Sequence, residues 1–318
     1  MTLALVPFAI DQTSSLTFAE AALRVRLAPG EELRDFLPAV TSSIRSARAM
    51  GGLLRSDGRP SGVVLWEPSG PLGVSVRLLY LDPPTAESPA YREALAVVER
   101  AAGPVAFVSG PIAGLSESDE EEMMRGRGFE RFGRSEMAFP PTTPVPRVAP
   151  PPGSEVRPVR AADEASLARL HERAYHGHLD RFLSIEDLDP VRDADRQVHD
   201  YFVARYGEVV TPGSTVVTTA GSIVAAVIAV RRPTQILLVD VMSDPSVHGR
   251  GFGRAALAAT LEALRARGES AIVLNVTEEN ARAVRLYSGL GFVRTLGPSK
   301  EWYDARRMPT RRPSAGTA

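Results

Sequence analysis

The chain has 318 residues, enough for two domains of ordinary size that each bury their own core. Its 37 Lys and Arg against 38 Asp and Glu leave a net charge of −1, so bulk charge gives no reason to expect nucleic acid as a partner. The lack of cysteine excludes a disulfide framework, a Cys-ligated metal and a thiol nucleophile, so any group transfer must use another nucleophile or go directly to its acceptor.

Met1 to Ile10 are apolar but carry no Lys or Arg, and Asp11 follows, which makes a poor secretory signal. The longest apolar stretches, such as Ile223 to Val230, fall far short of the roughly 20 residues a membrane span needs. A soluble, cytoplasmic protein with no membrane partner is the expectation, and the Ala, Arg, Gly and Pro content fits a bacterium of high genomic GC. Further along, Asp82-Pro83 ends a strand, Arg92-Glu93-Ala94-Leu95 follows in a helix, and Met123-Met124-Arg125-Gly126-Arg127-Gly128-Phe129 comes later. Seven prolines between Pro140 and Pro152 rule out regular helix or central strand and favour an extended link over residues 140–154.

The second half alternates. Glu155 to Arg160 reads as a strand, and Asp163 to Tyr175 as a helix with Asp163 as its N-cap. Residues 176–210 are polar and irregular, with another helix around Asp195 to Tyr206. Ser214 to Thr219 and Ser222 to Arg231 form a hairpin at Ala220-Gly221, and Gln235 to Met242 is a further strand. Arg254 to Arg267 is a helix with Leu257, Leu261 and Leu264 on one face and Gly268 as its stop. Ala271 to Val276 is a strand, Ala281 to Leu290 a short helix, and Phe292 to Tyr303 the last strand or strands. From Met308 the chain reads as a disordered tail, residues 308–318. This order implies an α/β fold, a mixed sheet with helices on both faces. Asp244-Pro245, Arg254-Ala255-Ala256-Leu257 and Leu286 to Phe292 echo the three features of the first half in the same order, which points to duplication of one fold.

The strongest chemical signal is His248-Gly249-Arg250-Gly251-Phe252-Gly253, between a strand and a helix. Glycines let successive N–H groups point into one concavity, and the following helix adds its N-terminal donors and dipole, which suits a phosphate or pyrophosphate. The plain alternative is a tight strand-to-helix turn. No Gly-Lys-Ser/Thr follows, so it is not a P-loop, and it comes too late, after a hairpin, for a dinucleotide-binding fold.

The turn resembles the pyrophosphate-binding loop of GNAT N-acetyltransferases, whose usual form is Arg or Gln, Gly, any residue, Gly, any residue, Gly or Ala. His248 takes the first place here. Leu274-Asn275-Val276, then Asn280-Ala281, Leu286-Tyr287 and Gly291-Phe292, resemble that family's later strand and helix. The resemblance implies two acyl-CoA N-acyltransferase folds in tandem: a degenerate GNAT-like domain over residues 1–139 and a catalytic one over residues 155–307. It implies acetyl-CoA as co-substrate, no metal, and direct acetyl transfer to a primary amine. The acceptor is a small molecule, as in the tandem-GNAT mycothiol synthases, or a protein N-terminus.

The same resemblance assigns roles. His248, Gly249, Arg250, Gly251, Phe252, Gly253 and Arg254 form the pyrophosphate loop. Val241, Met242 and Ser243 pair with the pantetheine like an added strand. Asn275 lies on the later strand, and Asn280 caps its helix, reaches the pantetheine arm, or both. Tyr287 is placed to protonate the departing thiolate as general acid, the other reading being an amphipathic core tyrosine. Asn275 stands where some relatives carry a basic Glu, and an amide is no base. Asp240 or Glu278 acting through water are the substitutes, and a structural Asp240 is the alternative. His178 and Asp180 fall in the acceptor-side segment. Two histidines and an Asp within Tyr175 to Asp180 lack a further ligand cluster, so no metal is expected. In the first half, Glu87, Pro89 and Tyr91 align with Gly249, Gly251 and Gly253, and Met124 with Tyr287. A carboxylate and a proline cannot cradle a pyrophosphate, so that half is read as having lost the cofactor. An acyl-CoA-binding regulatory module without turnover is the competing function.

Overall fold

The computed structural model describes residues 3–7, 50–81, 88–110, 112, 114–183, 185, 187–295 and 299–308. Asp82, Pro83 and Glu87 of the internal echo, residues 1–2 and 8–10 of the apolar start, and the tail from residue 309 lie outside the described residues. The chain divides into one unit of residues 1–132 with 299–318, and another of residues 133–298.

The second unit is organised by the hairpin of β9 (Thr215–Thr219) and β10 (Ser222–Arg231). Its turn residues Ala220 and Gly221 take φ of 48° and 76°, the two successive positive values that a tight turn between right-twisted strands needs. β10 is buried at every position but its ends, as expected of a strand covered on both faces. The strand order is β6 (Phe129–Phe139), β12 (Ile272–Thr277), β11 (Ile236–Ser243), β10, β9 and β7 (Ser154–Pro158). β11 and β12 run parallel, and the other neighbours run antiparallel. Short β8 (Glu208–Val209) adds to β10, and β13 (Val293–Arg294) adds to β6.

Helices cover both faces. α6 (Phe252–Ala266) buries Leu257, Leu261 and Leu264 with Ile236, Leu238 and Leu274 on one side. α3 (Glu164–Tyr175) and α5 (Pro190–Phe202) bury Leu167, Leu170, Val198 and Tyr201 with Leu237 and Met242 on the other. Each fully buried Leu contributes about 1.5–3 kcal/mol. Between α3 and α5 lies the single turn α4 (Leu179–Phe182), and α7 (Ala281–Ser288) follows β12.

Two local expectations change. Asp163 holds the N-cap position of α3, but its side chain makes no capping hydrogen bond there. Its carboxylate turns back to the Arg160 N–H at 2.9 Å and takes a bidentate fork from Arg157 at 2.7 and 2.8 Å. The helix expected from Asp195 starts at Pro190, where Asp189 accepts the Val191 N–H at 2.9 Å as N-cap and the proline fills the first helical position.

In the first unit the order is β1 (Leu3–Pro7), β2 (Met50–Ser56), β3 (Arg59–Pro68), β4 (Val74–Leu81), β5 (Val105–Ser109) and β14 (Ser299–Asp304). Its helices are α1 (Ser88–Ala102) and α2 (Glu117–Gly126). β2, β3 and β4 are antiparallel, α1 leads to β5 parallel to β4, and α2 follows. β9, β10, β11, α6, β12 and α7 repeat that sequence of elements. The closing strands are exchanged. Most of β6, the strand after α2, counts with the second unit against β12, whereas β14 counts with the first, against β5. The sequence places the strand ending at Tyr303 with the second half. Buried Trp302 explains its position, since its Nε1 donates to buried Glu120 at 2.6 Å. No helix among the described residues is long and apolar enough to cross a membrane.

Candidate active site

The site begins with a failure of pairing. β12 is paired with β6 along its whole length, from Ile272 to Thr277. With β11 it pairs only through Ile236–Ile272 and Leu237–Val273. Beyond that point the two strands part, and both line a cavity of about 400 Å3. Val241, Met242, Ser243 and Asn275 are among the lining residues. Asn275 is exposed on its strand.

At the open end β11 runs into the glycine turn. Gly249 and Gly251 take φ of 75° and 89°, and a Cβ at Gly249 would meet nothing within 4 Å. The curled backbone is thus needed for the turn, and the space it faces is open. Gly251 is the N-cap of α6, whose first-turn N–H groups have no intrahelical acceptors. Arg254, Arg282 and Arg285 line the same region, a setting for an anion. His248 Nε2 lies 3.2 Å from the Ser243 carbonyl and its Nδ1 sits against Arg282. Burial and the neighbouring arginine hold its pKa below the ordinary histidine value. Phe252 is buried beneath the loop, whereas Arg250 lies over the Phe252 ring and is not among the lining residues.

Asn280 Oδ1 caps α7 through the Ala283 N–H at 3.1 Å, and the residue also lines the cavity, so capping and lining coexist. Tyr287 is 7% exposed and packs at 6.0 Å from Phe292. Its hydroxyl has no hydrogen-bond partner among the described residues, yet the residue lines the cavity. Burial, then the nearby charges of Asp180 and Asp240, push its pKa well up, so it keeps its proton at neutral pH.

Asp240 owes its direction to a bulge. Ile228 pairs with Asp240 and Ala229 with Leu238, so Val239 is an extra residue on β11. Ile236 and Leu238 pack on the α6 side, and strict alternation would send residue 240 there as well. Instead Asp240 faces α3 and α5. It accepts Tyr175 Oη at 2.5 Å and Tyr201 Oη at 3.0 Å, with His171 Nε2 at 3.8 Å. Burial pushes its carboxyl up, against the opposing pull of His171 and the two hydroxyls. Burial pushes His171 down.

His178, whose ring lies 6.3 Å from that of Tyr175, accepts the Asp180 N–H on its Nδ1 at 3.2 Å and caps α4. Asp180 takes the Thr277 hydroxyl and lies 3.6 Å from Arg134. Burial would raise its carboxyl, but His178, Thr277 and Arg134 together hold it below the usual range. Glu278 is away from the cavity, committed to Arg294 at 2.7 and 2.9 Å and to Ser135. Among the described residues no group of three or more His, Cys, Asp or Glu converges as metal ligands would.

The model of the acetyltransferase (GNAT) family matches residues 170–292, which contain the loop, both parted strands and Tyr287. This segment is a GNAT acetyltransferase domain. The chain is 33% identical over 176 residues to the mycothiol acetyltransferase of Thermobispora bispora, covering 54% of this chain and 56% of that protein. To the one from Thermomonospora curvata it is 31% identical over 206 residues, 63% of each. The chain thus spans little more than half the length of these curated relatives. A GCN5-related N-acetyltransferase from Sphaerobacter thermophilus has the same fold at TM-score 0.63 and 16% identity, over 94% of this chain and 95% of that one. A tandem GNAT protein from the clavulanic acid biosynthesis pathway matches at TM-score 0.53 and 15% identity, over 94% and 97%.

The GNAT domain brings together the predicted loop, strand and helix residues, apart from Arg250, with His178 and Asp180. Sequence reasoning missed His171, Tyr175 and Tyr201 around Asp240. His171 and Tyr175 stand four apart, so both fall on one helix face, a signal available in principle. The partnership with Tyr201, on another helix, had none. Arg282 and Arg285 were also legible, three apart just after the Asn280 cap.

Proposed function

We propose that this chain is an N-acetyltransferase that moves acetyl from acetyl-CoA directly to the primary amine of a small molecule, with one donor site, in the second unit. The observation that carries the reading is the wedge between β11 and β12. It runs from a glycine loop facing open space to a tyrosine whose hydroxyl has no other engagement among the described residues. The unpaired edge of β11 offers backbone partners to a slim amide chain such as pantetheine. The loop N–H groups and Arg254, Arg282 and Arg285 suit the pyrophosphate and phosphate at its end. Binding thioester and amine in one cleft makes the reaction local, and N–H groups on the open side of β11 stabilise the developing oxyanion. Tyr287 gives its proton to the departing thiolate. The first unit, with Pro89 and Met124 at the equivalent positions, keeps the fold without the donor site. The name shared by the curated relatives favours a small-molecule acceptor over a protein N-terminus.

The test is release of CoA thiol from acetyl-CoA with and without alaninamide, glucosamine and putrescine. Amine-dependent release with acetylated product supports the reading. Tight acetyl-CoA binding without release for any amine would leave an acyl-CoA-binding module.

A further inference from the structure

Acetyl transfer requires that the attacking nitrogen lose a proton, and the usual carboxylates at this site are poorly suited to take it. Asp180 is already held charged by His178, Thr277 and Arg134, and Glu278 is bound to Arg294 away from the cavity. Asp240 is 4% exposed, and both of its carboxylate oxygens are covered by tyrosine hydroxyls. Those two tyrosines are not equivalent. Tyr175, at the end of α3, lines the cavity and donates to Oδ1, whereas Tyr201, on α5, donates to Oδ2 and is not among the lining residues.

Resting on the acetyl-transfer reading above, we propose that Tyr175 and Asp240 act as one proton acceptor, Tyr175 Oη touching the acceptor nitrogen and Asp240 Oδ1 receiving the tyrosine's own proton. As the N–C bond forms and the C–S bond breaks, the nitrogen's proton passes to Tyr175 Oη and the phenolic proton passes to Asp240. The thiolate takes the proton of Tyr287. Asp240 ends protonated and Tyr287 deprotonated, and exchange of one proton through water restores both. Tyr175 stays neutral throughout, as burial dictates by pushing its pKa well up. Burial also raises the Asp240 carboxyl, which makes it a better proton acceptor near neutral pH than an ordinary Asp. His171 and Tyr201 are positioning residues. The His171 ring lies 4.6 Å from that of Tyr175 and 3.8 Å from Asp240 Oδ2. They hold the pair together from α3 and α5, and the bulge at Val239 aims the carboxylate at them.

The groups that bear on Asp240's titration are His171 and Tyr175 from α3, Tyr201 from α5 and Tyr287 from α7, while Asp180 from α4 bears on Tyr175 and Tyr287. The relay works with Asp240 ionised, so kcat rises with pH through its raised pKa. The experiment measures kcat against pH for the full chain with the three amines named above, together with acetyl-CoA affinity by calorimetry. The amine's own titration is common to every variant. Tyr175→Phe is expected to lower kcat about 100-fold, keep acetyl-CoA affinity within about twofold, and lose the acidic limb. Asp240→Asn is expected to lose the same limb. Tyr201→Phe removes a donor that favours the charged carboxylate, so its limb should persist but move to higher pH. A Tyr175→Phe enzyme within about threefold of wild type, limb in place, overturns the relay alone. A wild type without amine-dependent CoA release overturns the relay and the acetyl-transfer reading together. If Tyr175→Phe also loses acetyl-CoA binding, Asp240→Asn decides: a retained limb overturns the relay and a lost one supports it.

Discussion

Gly253 offers a test in which stability and binding should move in opposite directions. It lies in the first turn of α6 without a positive φ, so nothing in the backbone requires glycine there. A Cβ at this position would meet Ser243 Cβ at 3.8 Å and Leu286 Cδ2 at 3.9 Å, which is ordinary contact. Gly253→Ala should therefore fold normally and stabilise the helix by about 0.5–1 kcal/mol, the usual advantage of Ala over Gly. If the glycine is kept for a ligand, the methyl stands where the pyrophosphate must meet the first-turn N–H groups. Losing one hydrogen bond to a charged group costs about 1.5–3 kcal/mol, or roughly 10- to 100-fold in affinity. Urea unfolding without ligand gives the first quantity and calorimetric titration with acetyl-CoA the second. A gain in stability with affinity unchanged within about twofold would refute the placement of the pyrophosphate on this turn. A loss of stability beyond about 1 kcal/mol would refute the packing argument.

Gly251→Asp puts a carboxylate on the N-cap of α6, and at about 4 Å from a phosphate charge the repulsion is about 4 kcal/mol at an effective dielectric of 20. Calorimetry on wild type should give close to one acetyl-CoA per chain and on this variant no measurable binding, and retained affinity would move the site. Tyr287→Phe should keep acetyl-CoA affinity and lower kcat about 10²–10⁴-fold on the true acceptor, so a rate within about twofold of wild type would remove the hydroxyl from the mechanism. Asp244 is held at about 2, because hydrogen bonds from Ser246 and Arg173 outweigh its burial. A depressed folded pKa means stability that is present above pH 4 and lost as pH falls through about 2. Discounted for solvent around Arg173, this is about 1–2 kcal/mol. The destabilisation of Asp244→Ala, measured by urea unfolding, should accordingly shrink by that amount between pH 7 and pH 2, and a pH-independent difference would contradict it.

Much of the second unit was legible because its signals are local. The Ala220-Gly221 turn, the Leu257-Leu261-Leu264 stripe and the glycine loop each follow from residues close in sequence. The start of α5 was legible too, since Asp189-Pro190 is an N-cap followed by a favoured first residue, but the polar run around it masked the pattern. Three features were not written locally. The bulge at Val239 depends on register against β10 and reverses the face of Asp240 without any mark in the alternation. The wedge depends on where β11 and β12 cease to pair. The carboxylate of Asp163 serves Arg157 and Arg160 rather than its own helix, a competition that spacing alone does not resolve.

The exchange of β6 and β14 bears on how the chain is made. On the ribosome the strands of the first unit emerge early, yet the neighbour of β5 is the stretch Ser299–Asp304, translated almost two hundred codons after it. At about 5–20 residues per second, β5 lacks that partner for roughly 10–40 s. Its five residues carry the run Val-Ala-Phe-Val, the kind of apolar edge that invites pairing with a stranger. Buried Glu120 also waits through that interval for the Trp302 indole. The nascent protein is therefore exposed to misassembly throughout that interval, and a premature stop just before codon 299 leaves the first unit, not the second, unfinished.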